Sequence, residues 1–588
     1  MVRILLFFTC FLLVCDVQAQ EIPVTNRPPK NAETTFRFAI VSDRTGGMRA
    51  DIFDGAIDKV EMMQPEFVLS VGDLIDGYTE DPKVWNAQWD EFDTIVEKLS
   101  MPFYYVPGNH DTSNKLLTEV WRERHGRDFY HFVYNDVLFL AINTDEIEGG
   151  GIGNPQIEYF QKVLEENKEV RWTLLFMHRP LWSYGNRLGY DGIEKALGER
   201  NYTLFSGHHH HYRYKMHNGM EHFTLATTGG GSWMRNPDVG ELDHITWVTM
   251  KDNGPEIANI DINGIYSKNL VDEKDYADIQ VLRQGNWLNM QPVVHSSNRF
   301  DELPIKLKVE NNSQRTFKIS GTLPDQYGIE FKPSNLEFEL EKGGKTTIDI
   351  LAKSVEGESL ISQLNNSPLQ FELTAGFERE GKTDISLSTT KRLFLDWNHS
   401  LIVSETPILI DGNLIDWEQA EWINVLNPQY FREGWDWKGS EDGRFEFATT
   451  FDDENIYLAV KFFDQITISD SLKLSSRQDK FYIHLDSNSK TEKHTSYEIA
   501  FSGVSTIPLS SSDEIEAAIV KNKELQILEV RVPFSEIEFI ENLERIRINI
   551  GVMDHDRPEN TKPSVLWWRP VWNTADNYEN SGVFYLKN

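Results

Sequence analysis

Five times within the first 212 residues, a short apolar run stops at a cluster of Asp, Asn, His and Gly. Residues 36–41 lead into Ser42-Asp43-Arg44-Thr45-Gly46, and residues 67–71 into Gly72-Asp73-Leu74-Ile75-Asp76. Residues 103–106 lead into Gly108-Asn109-His110-Asp111, residues 172–177 into His178-Arg179-Pro180, and residues 203–205 into Gly207-His208-His209-His210-His211-Tyr212. Runs of that length read as strands, with residues 137–142 as a further one, entered through a turn at Asn135-Asp136. Between them Ile52, Ala56, Ile57, Val60 and Met63, and later Trp85, Trp89, Phe92, Val96 and Leu99, recur at helical spacing. Strand–helix alternation over about 220 residues predicts a layered α/β fold.

Ligand sites in α/β sheets gather beyond the carboxyl ends of strands. Five polar clusters in that position are what a metal site built from strand-end loops requires. Carboxylate, imidazole and amide oxygen suit divalent or trivalent first-row metals. A two-metal site needs one carboxylate to bridge ions about 3.5–4 Å apart, with separate ligands for each. The glycines before Asp73, Asn109 and His208 are expected to let the backbone turn sharply there. Charge points the same way. A formal net charge of −34 disfavours nucleic acid and anionic membrane as partners, whereas a phosphate ester is accommodated wherever metal ions reverse the local field.

The order D…GDxxD…GNHD…H…GHxHxY resembles the calcineurin-like metallophosphoesterase superfamily, its last motif lying closest to the purple acid phosphatase branch. The resemblance covers about residues 36–231 and implies a four-layer α/β catalytic domain. It implies that Asp43, Asp73 and His210 hold one metal and that Asn109, His178 and His208 hold the second, with Asp73 bridging. Mn, Fe or Zn are the implied ions. His110 would stabilise or protonate the leaving oxygen, Asp111 would orient its ring, and a metal-bound hydroxide would attack phosphorus in line. One position departs. The family has D-x-H in its first motif, where this chain has Asp43-Arg44-Thr45, so Asp76 or the Thr45 hydroxyl is expected to complete the first shell.

Bland readings stand beside the sharp ones. Asp76 is as well placed for a turn as for a metal, and Arg44 either grips a phosphate oxygen or forms a surface ion pair. His209 and His211 should point away if His208 and His210 point inward, since strand side chains alternate. The family spacing is the reason to prefer that register. His125, His131, His217 and His222 carry no motif and read as structural, and Gly229 to Gly231 as a plain glycine loop.

The N-terminus reads as a secretory signal over residues 1–19: Arg3, an apolar stretch at 4–14, and Val17-Gln18-Ala19 at the cleavage site. A lipoprotein reading at Cys15 is weaker, because Val14 before it is not small. The expected location is secreted or periplasmic. Cys10 and Cys15 are the only cysteines, so the processed chain is expected to lack disulfides. No later apolar run is long enough to span a bilayer.

A Pro-rich linker at 20–35 precedes the catalytic domain, expected at 36–268. Alternating Leu307, Val309, Phe317, Ile319, Phe331, Leu336, Phe338 and Ile348 predict an Ig-like β-sandwich at 290–396. A second sandwich, rich in tryptophan, is expected at 405–588. There, Asp411-Gly412-Asn413-Leu414-Ile415-Asp416-Trp417 and the stretch from Thr450 to Val460 resemble the family 9 carbohydrate-binding modules. The resemblance implies a glycan partner, with Trp435, Trp437, Trp568 and Trp572 as candidate sugar platforms; buried core tryptophan is the competing reading. The chain is therefore read as an exported metal-dependent hydrolase of phosphate mono- or diesters. The alternative is a non-catalytic glycan or cell-surface binder with a degraded metal site.

Overall fold

The computed structural model describes residues 23, 25, 35–261, 263–428, 430–432, 437–469, 478–486, 495–500, 509–537, 544–555, 563–572 and 578–587. The expected signal segment with both cysteines, most of the linker, and Trp435 lie outside these residues. The chain forms two compact units, one made by residues up to 280 with 378–385, the other by 281–377 with 386 onward. No described helix is long and apolar enough to cross a membrane.

The first unit holds two six-stranded sheets. One sheet contains β1 (Phe36–Val41), β2 (Phe67–Ser70) and β3 (Phe103–Tyr104), mutually parallel, with an antiparallel extension from β1 through Ile245–Lys251, Gly254–Ile260 and Ile265–Ser267. The other runs β4 (Tyr130–Tyr134), β5 (Val137–Ile142), β6 (Trp172–Met177) and β7 (Tyr202–Ser206), then Met220–Thr224 and Arg213–His217. Strands β5, β6 and β7 are parallel to one another. The β4–β5 hairpin turns at Asn135 and Asp136, both with positive φ, as an Asn-Asp pair allows.

Phenylalanines fill the space between the sheets. Phe38 and Phe67 of the first sheet stand 5.6 and 5.5 Å from Phe139 of the second, and Phe176 and Phe205 continue the stack. The outer face of the first sheet packs on helices Ile52–Met63, Pro82–Val96 and Lys115–His125, through Phe53, Ile57, Trp89, Phe92 and Trp121. The outer face of the second packs on Asn154–Glu166 and Tyr190–Leu197, through Phe160, Val163 and Ile193. Four layers result, and the parallel strands of both sheets are buried on both sides, which is why they read as continuous apolar runs.

This unit extends past the expected boundary at residue 268 and takes in a loop from the following region. In that loop Arg379, buried, bonds the Leu270 carbonyl, Asp238 and Asp275, and Lys382 bonds Asp272 and Asp275.

The second unit is built of strands. Glu302–Glu310 shows strict alternation, with Leu303, Ile305, Leu307 and Val309 buried and their neighbours out. It lies in a four-stranded sheet with Leu288–Met290, Lys345–Ser354 and Ile329–Lys332. A second four-stranded sheet, Asn335–Leu340, Phe317–Thr322, Gln370–Phe377 and Ile385–Arg392, meets it where Phe331 packs edge-on against Phe371. The C-terminal part sets an eight-stranded sheet on a five-stranded one around Phe447, Leu458, Val460, Ile483, Val530, Ile548 and Ile550.

Two of the four tryptophans offered as sugar platforms are buried. Trp568 is buried against Phe447, His399 and Phe584, and Trp572 is buried beneath the Arg547 guanidinium. Neither presents a face to a ligand, so the competing core reading holds for both. Trp437 is half-buried, its indole N–H donated to the Gly443 carbonyl.

Candidate metal centre

All five predicted clusters leave the carboxyl ends of β1, β2, β3, β6 and β7, and the fold brings their side chains to one place. Asp43, Asp73, Asn109 and His178 are buried there, while His110, His208 and His210 are partly open to solvent. Two triads of ligand atoms lie within 4.8 Å of one another: Asp73, His178 and His208 in one, Asp43, Asp73 and His210 in the other. Asp73 belongs to both.

His178 is the hub of the first triad. Its Nδ1 donates to the Val71 carbonyl at 2.9 Å, which fixes the ring and turns Nε2 inward. Around that Nε2 stand Asn109 Oδ1 at 3.0 Å, Asp73 Oδ2 at 3.1 Å and His208 Nδ1 at 3.2 Å. Such separations are the edges expected of a coordination shell with bonds of about 2.1 Å. Asn109 shows its oxygen to this group because its amide N–H is donated to Tyr78 Oη at 3.1 Å. In the second triad, His210 Nδ1 donates to the Gly231 carbonyl at 2.6 Å, leaving Nε2 3.3 Å from Asp43 Oδ1. The Gly229–Gly231 loop is therefore more than a connector, since it holds the ring of a ligand.

The electrostatics of the pocket favour positive charge beside its carboxylates. Burial pushes both the Asp43 and Asp73 carboxyls up, but neighbouring histidines, His210 beside Asp43 and His178 beside Asp73, outweigh it and hold both below the usual carboxylate range. Burial alone would depress His178, yet Asp73 and Asp43 raise it to about 10. His208, pushed down to about 3 by burial and then by His178 and Arg179, takes no second proton. Burial would depress His210 too, yet the hydrogen bond and charge of Asp43 raise it, so both His178 and His210 hold a proton more readily than a free imidazole. The donor set, two carboxylates, three imidazoles and an amide oxygen, suits two first-row cations.

The tetrahistidine run alternates as expected, for a different reason. Residues 208–211 lie beyond the strand, and it is the left-handed backbone at His208 (φ 72°) and His210 (φ 54°) that turns these two inward. His209 stacks on Tyr184, and His211 Nε2 meets Tyr276 Oη at 2.9 Å. The motif glycines also differ in role. Gly72 is a turn glycine, with φ of 98°. At Gly108 and Gly207 clearance decides: a Cβ there would fall 2.3 Å from Asp73 Oδ1 and from Asp43 Oδ2 respectively.

Three expected roles change. Asp111 does not orient His110. Its buried carboxylate accepts the backbone N–H groups of Asp73, Leu74, Ile75 and Gly108, and so fixes the turn that carries Asp73. Burial and the nearby Asp73 raise it to about 7. His110 Nδ1 instead meets the Asp76 carbonyl at 2.7 Å, and its ring packs edge-on against Tyr78. Arg44 neither reaches a phosphate position nor lies on the surface. It is buried between Phe53 and Phe92, bonded to Glu91 at 2.6 Å and to the Leu74 carbonyl at 3.0 Å. Thr45 donates its hydroxyl to the Asp76 carboxylate, and Asp76 belongs to neither triad.

A sixth strand end also reaches the site. Asn143-Thr144-Asp145 follows the fully buried β5, carrying the same signature of apolar run and polar stop that marked the other five. Asp145 Oδ1 accepts from Arg179 Nε at 2.8 Å, and Arg179 Nη1 lies 3.1 Å from His208 Nε2.

Residues 36–212 match the family model described as calcineurin-like phosphoesterase, and residues 410–587 match carbohydrate family 9 binding domain-like. "Probable glycerophosphodiester phosphodiesterase GpdQ" of Arcobacter nitrofigilis is 28% identical over 165 residues, which are 25% of this chain. The chain spans 57% of the length of that relative. Among solved structures, a family 9 carbohydrate-binding module from Caldicellulosiruptor kristjanssonii, in complex with cellotriose, shares 18% identity over 32% of this chain and 93% of its own, with a TM-score of 0.25. A dimetal phosphatase from Danio rerio shares 15% identity over 38% of this chain and 98% of its own, with a TM-score of 0.29. An N-terminal metallophosphoesterase-type α/β domain is thus followed by a β-rich region that ends in a family 9-like module.

Proposed function

We propose that this chain is an exported, metal-dependent hydrolase of phosphate esters, working through a dinuclear centre, with its C-terminal module directing it to glycans. The observation that carries the reading is the pair of ligand triads sharing Asp73. Asp43, Asp73 and His210 would hold one ion, and Asp73, Asn109, His178 and His208 the other, with Mn, Fe or Zn as the candidates. When bound, the ions supply Lewis acidity toward phosphoryl oxygens and a water of lowered pKa. His110 is anchored at Nδ1 by the Asp76 carbonyl and keeps Nε2 free to hold the proton that the departing ester oxygen takes up.

Export rests on the charged and apolar segment at residues 1–19, and a secreted or periplasmic location follows from it. Glycan binding rests on the family match at residues 410–587 and not on Trp568 or Trp572. Full-length protein loaded with Mn, Fe or Zn should be assayed on phosphomonoesters and phosphodiesters, glycerophosphodiesters included, with metal content measured alongside. Hydrolysis that tracks metal content supports the proposal. Fully loaded protein that turns over neither class supports the non-catalytic binder.

A further inference from the structure

Arg179 directly follows a ligand of the centre, at the end of β6, and nothing in the catalytic assignment above uses it. Its position is built. The backbone N–H donates to Thr144 Oγ1 at 3.0 Å, and the same hydroxyl donates to Asp145 Oδ2 at 3.1 Å. Asp145 Oδ1 then takes Arg179 Nε at 2.8 Å, so one loop fixes both the backbone and the guanidinium. A Cβ on Gly150 would press within 3.1 Å of Nε, so the Gly149–Gly151 loop closes over that edge of the group. With Nε and its edge taken, the Nη end is turned to the centre, where Nη1 stands 3.1 Å from His208 Nε2. Since His208 Nδ1 faces His178, one imidazole ring separates the guanidinium from the ligand cluster.

The same guanidinium is partly open to solvent. Its side chain keeps a fifth of its surface exposed, and the Tyr78 and Tyr184 phenols are both within electrostatic reach of it. Tyr78 in turn touches Asn109 and His110. Arg179 and His110 are thus both near Tyr78, and all three are open to solvent at least in part. Arg44, the other cation weighed for a phosphate contact, is instead ion-paired with Glu91 and bonded to the Leu74 carbonyl. A planar fork held by a carboxylate at one end, with its other end beside a metal cluster, is the arrangement that grips a tetrahedral oxyanion.

We propose that Arg179 is the anion-binding residue of this site, donating from its Nη end to a phosphoryl oxygen that the metals leave free. The inference rests on the phosphate-ester reading, and its test separates the two. Inorganic phosphate is titrated calorimetrically into metal-loaded full-length protein, with metal content determined on the same samples. Arg179→Gln should keep its metal and bind phosphate roughly 10- to 100-fold more weakly, the scale of a lost charged hydrogen bond. Arg179→Lys should recover part of the affinity, since it restores the charge but not the fork. Equal phosphate affinity in parent and Arg179→Gln, both fully loaded, overturns the inference alone. Loss of metal from Arg179→Gln also overturns it, because Arg179 would then be a support for His208. A loaded parent that neither binds phosphate nor hydrolyses any ester overturns the phosphate-ester reading, and this inference with it.

Discussion

Both units bury carboxylates, Asp43 and Asp73 in the first and Asp396 in the second, and they surround them with different partners. In the second unit, Asp396 takes the Arg569 guanidinium at 2.9 Å through Nε and again through Nη2, His399 Nε2 at 2.9 Å, and the backbone N–H groups of Trp397 and Gly582. Its charge is cancelled within the chain. In the first unit, Asp43 and Asp73 accept from the Ser42 hydroxyl and from backbone N–H groups, and the positive partners beside them are the imidazoles of His210 and His178, with no arginine or lysine paired to either among the described residues. The same residue type at the same depth is thus closed in an internal ion pair in one place and, in the proposed site, left available to a metal in the other. What separates the cases is whether the fold itself provides the cation.

That contrast can be broken by experiment. The largest effect is expected from chelation, which should abolish hydrolysis while leaving the second unit folded, as monitored by activity and near-UV circular dichroism. Loss of tertiary signal from the whole chain would mean that the metals also hold the fold together. His110→Ala should retain metal and lose about 10²–10⁴-fold in turnover on esters with poor leaving groups, and less where the leaving group needs no proton. Equal losses on good and poor leaving groups would remove it from the proton-donor role.

In the second unit, Arg569→Met should destabilise by about 3–5 kcal/mol in denaturant titration, because it strands a buried carboxylate, and the Asp396→Asn/Arg569→Met pair should cost less than the single change. A double variant as unstable as the single one would assign Arg569 a packing role, for which its stacking on Trp568 at 4.1 Å would account.

Acid should separate the units further. Burial depresses His125 to about 3 and His222 and His244 to about 4, so all three are neutral in the fold, whereas unfolded histidine titrates near 6.5. Below 6.5 the unfolded chain binds more protons, so stability is full above that value and falls toward 4, by up to about 1.4 kcal/mol per pH unit per histidine. In the second unit burial lowers His399 in the same direction. Burial pushes Asp396 up, but Arg569 and His399 hold it below the carboxylate range, so its contribution is lost only as pH falls below about 3.8. Differential scanning calorimetry from pH 7 to 4 should show the first unit's transition moving down faster, and parallel shifts would contradict this. The smallest change is expected of Tyr78→Phe, which frees the Asn109 amide N–H at a cost of about 1 kcal/mol, seen as a several-fold weaker metal affinity with the fold unchanged.

The strand-end clusters were legible because strand direction and turn chemistry act locally. An apolar run followed by Gly-Asp or Asn-His says where the chain stops and what is exposed there. Asn143-Thr144-Asp145 carries the same pattern of apolar run and polar stop, without the histidine or glycine that marks the other five. Roles that depend on contacts distant in sequence were not legible. Asp111 meets three amides about 36 to 38 residues away, and Arg44 meets Glu91, through a packing of Phe53 and Phe92 that no local pattern encodes. The tryptophans failed for a related reason: a flat apolar ring suits a sugar and a core equally, and only the second sheet, covering Trp568, decides between them.

The loop at 378–385 has a consequence for synthesis. Ribosomes deliver a chain from its N-terminus, so a unit completed by Arg379 and Lys382 stays unfinished while about a hundred residues of its neighbour are already emerging. Asp238, Asp272 and Asp275 meet these cations only once residue 382 has left the exit tunnel. A nascent chain stalled at residue 350, with Leu270 outside the tunnel and Arg379 not yet made, should therefore be cleaved by protease near Leu270 more readily than one stalled well beyond 420, which ties the maturation of the first unit to translation of the region behind it.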